Sequence, residues 1–135
     1  MNRTLLLCVA VPLLFVGCGG GRSTSDYVPD GNHAKQALTL SLDAWKSGGQ
    51  PDPAGKLPSG QTVKAVDMFW SEGQKLSNYE IVRELPATGT DPRQIVVKLT
   101  DSAGASVEAT YFVVGIDPIQ VYRDKDYSRY FGDAK

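Results

Sequence analysis

Two cysteines and a single histidine in 135 residues leave little room for thiol or imidazole chemistry. Cys8 lies inside an apolar run near the start and Cys18 follows that run, so the chain beyond residue 18 carries no disulfide, free thiol or cysteine metal site. His33 alone lacks the two or three imidazoles of the usual catalytic zinc centre, and no His-Glu-x-x-His or Gly-x-Ser-x-Gly string occurs. Basic residues number 14 against 15 acidic ones and stand singly, as at Lys35, Lys46, Lys56, Lys64 and Lys75, without the stripe that a nucleic-acid surface needs. Neither a cofactor, a metal nor a nucleic-acid partner is expected on these grounds. Hydrophobic runs are short as well: Leu5 to Val16 falls below the roughly 20 apolar residues of a spanning helix.

That run does have the layout of an export signal, with Arg3 before it and Gly17 and Cys18 after it. Phe15-Val16-Gly17-Cys18 resembles the lipobox of bacterial lipoproteins, with phenylalanine where leucine is usual. The resemblance implies that residues 1–17 are a signal peptide that is removed and that the Cys18 thiol receives a diacylglyceryl group. Palmitate-type chains then anchor the new N-terminus in the cell envelope, on the periplasmic side of the inner or outer membrane. Several acyl chains, at roughly 0.8 kcal/mol per buried methylene, hold stably where one chain binds reversibly. Loss of Arg3 and of no acid leaves 13 basic against 15 acidic side chains, a formal charge of −2. Residues 18–30, rich in glycine and serine, read as the lipidated cysteine and a flexible tether of about 20 Å typical reach. Residues 31–131 are the expected globular domain and 132–135 a tail. Without disulfides, an extracytoplasmic domain depends on its hydrophobic core, which roughly 100 residues can supply.

Asn32 is a candidate N-cap, and Ala34, Ala37, Leu38, Leu42 and Trp45 recur at helical spacing, ending at Lys46 and Gly48. Trp45 is expected as a core anchor rather than a ligand-stacking ring. Gly49 to Gln61 holds Pro51, Pro53 and Pro58 and reads as a surface loop. From Thr62 the pattern turns to β, predicting a strand from Val63 through Trp70 with a turn or bulge at Gly73. Tyr79, Ile81 and Leu85 alternate with Glu80 and Glu84, and Ile95, Val97 and Leu99 with Lys98 and Thr100. Asp101-Ser102-Ala103-Gly104 predicts a tight hairpin leading into Val107 to Ile116, the most apolar and therefore central strand.

A helix followed by such strands buries its apolar stripe only across a sheet face. The expected fold is α+β, one N-terminal helix on a curved sheet of four to five antiparallel strands. That order resembles the cystatin-like and nuclear-transport-factor-like folds. More specifically, Ala-Leu-x-Leu-x-Leu-Asp-Ala-Trp-Lys at 37–46, Trp70 with Gly73 and Leu76, Tyr79-Glu80-Ile81, and Val113-Val114-Gly115-Ile116-Asp117-Pro118 with Val121-Tyr122-Arg123 resemble a group of small planctomycete lipoproteins. These are packing and turn residues, so the likeness concerns fold and leaves activity open.

Polar residues among the strands are the candidate site. Asp67, between Val66 and Met68, is expected to be partly buried and paired with Arg83; as an enzyme, it would be a general base with Tyr79 or Tyr111 donating to an oxyanion. Asp117-Pro118 predicts a strand-ending bend before a last short strand of Ile119, Val121 and Tyr122, while a pocket reading sets Asp117 and Arg123 at a cavity mouth. The candidate pocket is therefore Asp67, Tyr79, Tyr111, Asp117 and Arg123, with no residue assigned as catalytic. Asp124 and Asp126 lack the turn and terminal glutamate of a calcium loop and read as a solvated tail, whereas Tyr127, Tyr130 and Phe131 are expected to dock onto the domain. Phe112, Val114 and Ile116 form an outward apolar set suited to a protein partner or a homodimer. A membrane-anchored binding or envelope-associated module is the expected role, and a small-molecule enzyme with a pocket between helix and sheet is the alternative.

Overall fold

The computed structural model describes residues 28–88 and 91–132, so the export signal, Cys18 and most of the tether lie outside the described residues. The first element, helix α1 (Gly31–Lys46), starts two residues earlier than expected. Its N-cap is Asp30 rather than Asn32: the Asp30 carboxylate accepts from the His33 amide at 2.9 Å and lies 2.6 Å from His33 Nδ1. The amide bond, followed by the imidazole, lowers the Asp30 pKa below its ordinary value. At the other end Ser47 is the C-cap and Gly48, at φ +81°, makes the left-handed exit.

Six strands follow in one curled mixed sheet, β1 (Gly55–Lys56), β2 (Thr62–Val66), β3 (Leu76–Glu84), β4 (Arg93–Asp101), β5 (Ser106–Val114) and β6 (Ile119–Arg123), in the spatial order β1-β2-β6-β5-β4-β3. The α+β reading holds, but the sheet is neither four- to five-stranded nor wholly antiparallel. The proline-rich segment contributes the two-residue edge strand β1, and β2 runs parallel to β6 through Val63↔Ile119 to Val66↔Tyr122. Alternation tells which side chains share a face but not which strand lies alongside. Three antiparallel pairings, β3 with β4, β4 with β5 and β5 with β6, return the chain beside β2 in the same direction. Gly115 makes the last of these turns possible: it sits at φ +85°, and a Cβ there would come 2.7 Å from the Pro118 carbonyl oxygen.

The predicted strand through Trp70 ends at Val66. Asp67 stands in extended conformation and its carboxylate accepts from the Phe69 and Trp70 amides, turning Met68–Ser71 into the single-turn helix α2. Asp124 and Asp126, expected as solvated, instead lie in the first turn of helix α3 (Asp124–Phe131), with Asp126 buried. Asp126 Oδ2 accepts from the Met68 amide at 3.0 Å, fastening α3 to α2.

The two faces of the sheet are covered differently. Ala34, Ala37, Leu38, Leu42 and Trp45 of α1 pack on Val63, Ile95, Val97, Val113, Ile119 and Val121 of the inner face. Ala34 and Ala37 are fully buried, and their small side chains let the helix lie close. On the outer face Tyr127 stacks on Phe112 with centroids 4.2 Å apart, as the docking expectation requires, and Tyr122 meets it edge-on. Tyr130 and Phe131 reach the Tyr122 ring but stay 66 % and 58 % exposed. The chain's own Tyr127 therefore occupies the Phe112 part of the stripe named for self-association, leaving Val114 half-buried and Ile116 exposed.

Leu38 has no exposed surface and lies at the centre of the α1 face. Leu38→Ala is expected to lower unfolding free energy by about 2–5 kcal/mol, measured as a shift of the urea midpoint at constant slope; a loss under about 1 kcal/mol contradicts this packing.

Candidate functional site

The inner-face sets of three neighbouring strands end in polar residues. Val63 and Ala65 of β2 are followed at the same spacing by Asp67, Ile119 and Val121 of β6 by Arg123, and Val113 of β5 is preceded by Tyr111. Arg123 is the direct antiparallel partner of Tyr111, and Asp67 follows Val66, the partner of Tyr122, so the three form one row across the sheet. All are buried.

Asp67 is the hub of this row. Its Oδ2 accepts from the Tyr111 hydroxyl at 2.7 Å; its Oδ1 accepts from the Phe69 amide at 3.0 Å and the Trp70 amide at 3.4 Å and faces Arg123 Nη1 at 3.5 Å. The predicted pairing with Arg83 is not formed. The β3–β4 register shifts between Ile81 and Arg83, and Arg83 lies exposed on the edge strand. Burial first, and the Asp67 charge and hydrogen bond next, push the Tyr111 pKa well above its ordinary value. Tyr111 therefore keeps its proton and donates a hydrogen bond to Asp67.

Arg123 is 8 % exposed, with its guanidinium carbon 4.3 Å above the Phe69 ring centroid. Among the described residues its one polar side-chain partner is Asp67, through Nη1. No buried side-chain nitrogen there lacks a partner, so the remaining guanidinium N–H groups open onto accessible space. Arg123 lines two recesses, one of about 140 Å³ walled by Trp45, Leu76, Leu99 and Val107, the other of about 230 Å³ bounded by Phe69, Ala109 and Asp124. Trp45 stacks on Trp70 with centroids 5.7 Å apart; their indole N–H groups donate to the Gln74 and Gly49 carbonyls.

No protein-family model, curated protein or solved structure matches this chain. Its chemistry is thus read from the cleft itself.

Of the five candidate pocket residues, the fold gathers Asp67, Tyr111 and Arg123 and separates the other two. Tyr79 on β3 donates to Asp43 of α1 at 2.6 Å, and desolvation with that carboxylate raises its pKa to about 12. Asp117, in the exposed β5–β6 turn, accepts from the Thr62 amide at 3.2 Å. Asp126 faces α2 and Asp117 holds β2, so these acids do not converge with Asp124. Gln74 and Lys75 line the recess beside Trp45 without having been legible as site residues, because they follow a helical turn that reads as strand. The spacing of Val63, Ala65 and Asp67 was the available signal for the hub.

Asp67→Ala is expected to cost about 3–5 kcal/mol, since it strands a buried guanidinium and leaves the Tyr111 hydroxyl without its acceptor. Tyr111→Phe is expected to cost about 1–3 kcal/mol at pH 7. Because folding raises the Tyr111 pKa above the roughly 10 of a free tyrosine, its stabilisation is complete below that pH and fades as pH rises toward the folded value. Denaturant midpoints above pH 10 should therefore fall more steeply in the wild type than in Tyr111→Phe; parallel declines would contradict the assignment.

Proposed function

We propose that this chain is an extracytoplasmic lipoprotein, held to a membrane by acyl chains on Cys18, whose domain binds a small ligand in the cleft beside Arg123. The observation that carries the binding reading is a buried arginine with unused donors set among apolar walls. Ligand sites combine this apolar lining with a few placed polar groups. The enzyme reading needs Asp67 as a free base and a tyrosine donor aimed at substrate. Asp67 instead accepts two amides and the Tyr111 hydroxyl, while Tyr79 serves Asp43 at a separate place. Binding therefore suits the committed hydrogen bonds better than proton transfer.

The lipobox-like Phe15-Val16-Gly17-Cys18 supports the anchor. Among the described residues no helix is long and apolar enough to cross a membrane. A curled sheet gripping one long N-terminal helix supports the cystatin-like and nuclear-transport-factor-like reading of the fold, whereas the resemblance of residues 37–46 and 113–123 to small planctomycete lipoproteins rests on sequence alone.

Two measurements test these statements. Mass spectrometry of the membrane fraction should find a diacylglyceryl-modified Cys18 as first residue, and Cys18→Ser should abolish the modification; a full-length chain with its leader intact overturns the anchor. A panel of cationic, neutral and anionic small molecules, added to ¹⁵N-labelled protein, should contain at least one that shifts the Trp45 and Trp70 indole N–H signals saturably. Silence from every charge class overturns the binding function.

A further inference from the structure

We infer that the 140 Å³ recess between Trp45 and Arg123 is a site for a small organic carboxylate with an aromatic or short apolar body. This rests on the binding function proposed above and specifies its ligand.

Three features of Arg123 select the charge. Its side chain is nine-tenths buried, so water solvates it incompletely and an acceptor bound there acts in a medium of low polarity. Its one ionic contact, to Asp67 at 3.5 Å, is long and engages a single nitrogen, leaving the bidentate geometry that arginine offers a carboxylate unused. Phe69 packs against the guanidinium carbon, 4.3 Å from its ring centroid, and offers no acceptor that competes with an incoming carboxylate. A neutral amide of similar shape accepts from those donors through one oxygen only and without charge, so it forgoes the bidentate, charge-assisted pair. A cation is repelled.

The walls select the body. Trp45, Leu76, Leu99 and Val107 are apolar, and a space of this size compares with engineered cavities of about 150 Å³ that take up benzene. The charged groups that also line the recess are Lys75 and Asp101. Asp101 is already engaged, its Oδ1 accepting from the Ala103 and Ala105 amides of the hairpin turn. Lys75 and Asp101 offset one another, so Arg123 sets the charge of the ligand; phosphate has no apolar body to fill the recess, whereas a monocarboxylate can pair with Arg123 and set its ring against Trp45. Benzoate is therefore a suitable probe.

The test titrates purified full-length protein at pH 7 with benzoate, benzamide, benzylamine and inorganic phosphate, following the Trp45 indole N–H signal. Benzoate is expected to bind saturably and at least tenfold more tightly than benzamide, with benzylamine and phosphate silent. Arg123→Lys should weaken benzoate at least tenfold. Val107→Trp, a change at a 55 % exposed rim position, should block the recess and abolish benzoate binding without lowering the thermal midpoint. Should Arg123→Lys not fold, Val107→Trp decides. The inference is overturned if benzamide, benzylamine or phosphate matches benzoate, or if Val107→Trp binds like the wild type. If one of those other probes binds at the tryptophans, the binding function stands and only the carboxylate fails. If nothing binds, both fall.

Discussion

One carboxylate, on Asp67, sits where β2 ends, and the polar end of the core is arranged around it. It caps α2, accepts a hydrogen bond from the Tyr111 hydroxyl of β5 and faces the Arg123 guanidinium from β6. A buried charge of this kind is costly unless its lone pairs are filled. Here amides, a hydroxyl and a cation fill them, and each partner comes from a different element. The same contacts that satisfy Asp67 therefore fix α2 beneath the strand ends and hold Arg123 beside the cleft.

Two aromatic arrangements extend this order outward. Trp70, placed by the α2 turn, stacks on Trp45 of α1 and so ties the cleft wall to the main helix. On the opposite side of the sheet, Tyr127 covers Phe112 while the Asp126 carboxylate takes the Met68 amide. Helix α3 thus covers the Phe112 and Tyr122 part of the outer face and braces α2 at once. The polar row lies between these layers, where loss of a single donor is felt on both faces of the sheet.

Much of the scaffold was legible from side-chain spacing. The α1 stripe, the hairpin at 101–104, the interior position of β5 and the bend at Asp117-Pro118 follow from local preferences that the tertiary structure respects. The failures share a cause. Met68-Phe69-Trp70 looks like strand because bulky apolar residues continue a β pattern, yet Asp67 caps their amides and the chain turns. Asp126 looks solvated because acids are usually exposed, yet an orphan helix amide lies within its reach. Arg83 sits at a plausible alternate position relative to Asp67, but a register shift on an edge strand removes it.

By itself the sequence determined which residues face inward, because apolar periodicity is a property of one segment and its own backbone geometry. It also named Asp67, Tyr111 and Arg123 as polar candidates among the strands and supplied the motif at Cys18. Only the tertiary structure decided that β2 lies parallel to β6, that these three residues share a row, and that Tyr79 and Asp117 belong elsewhere. Strand partnership is settled by the global burial of all six strands against α1 and α3, and no local pattern contains that sum.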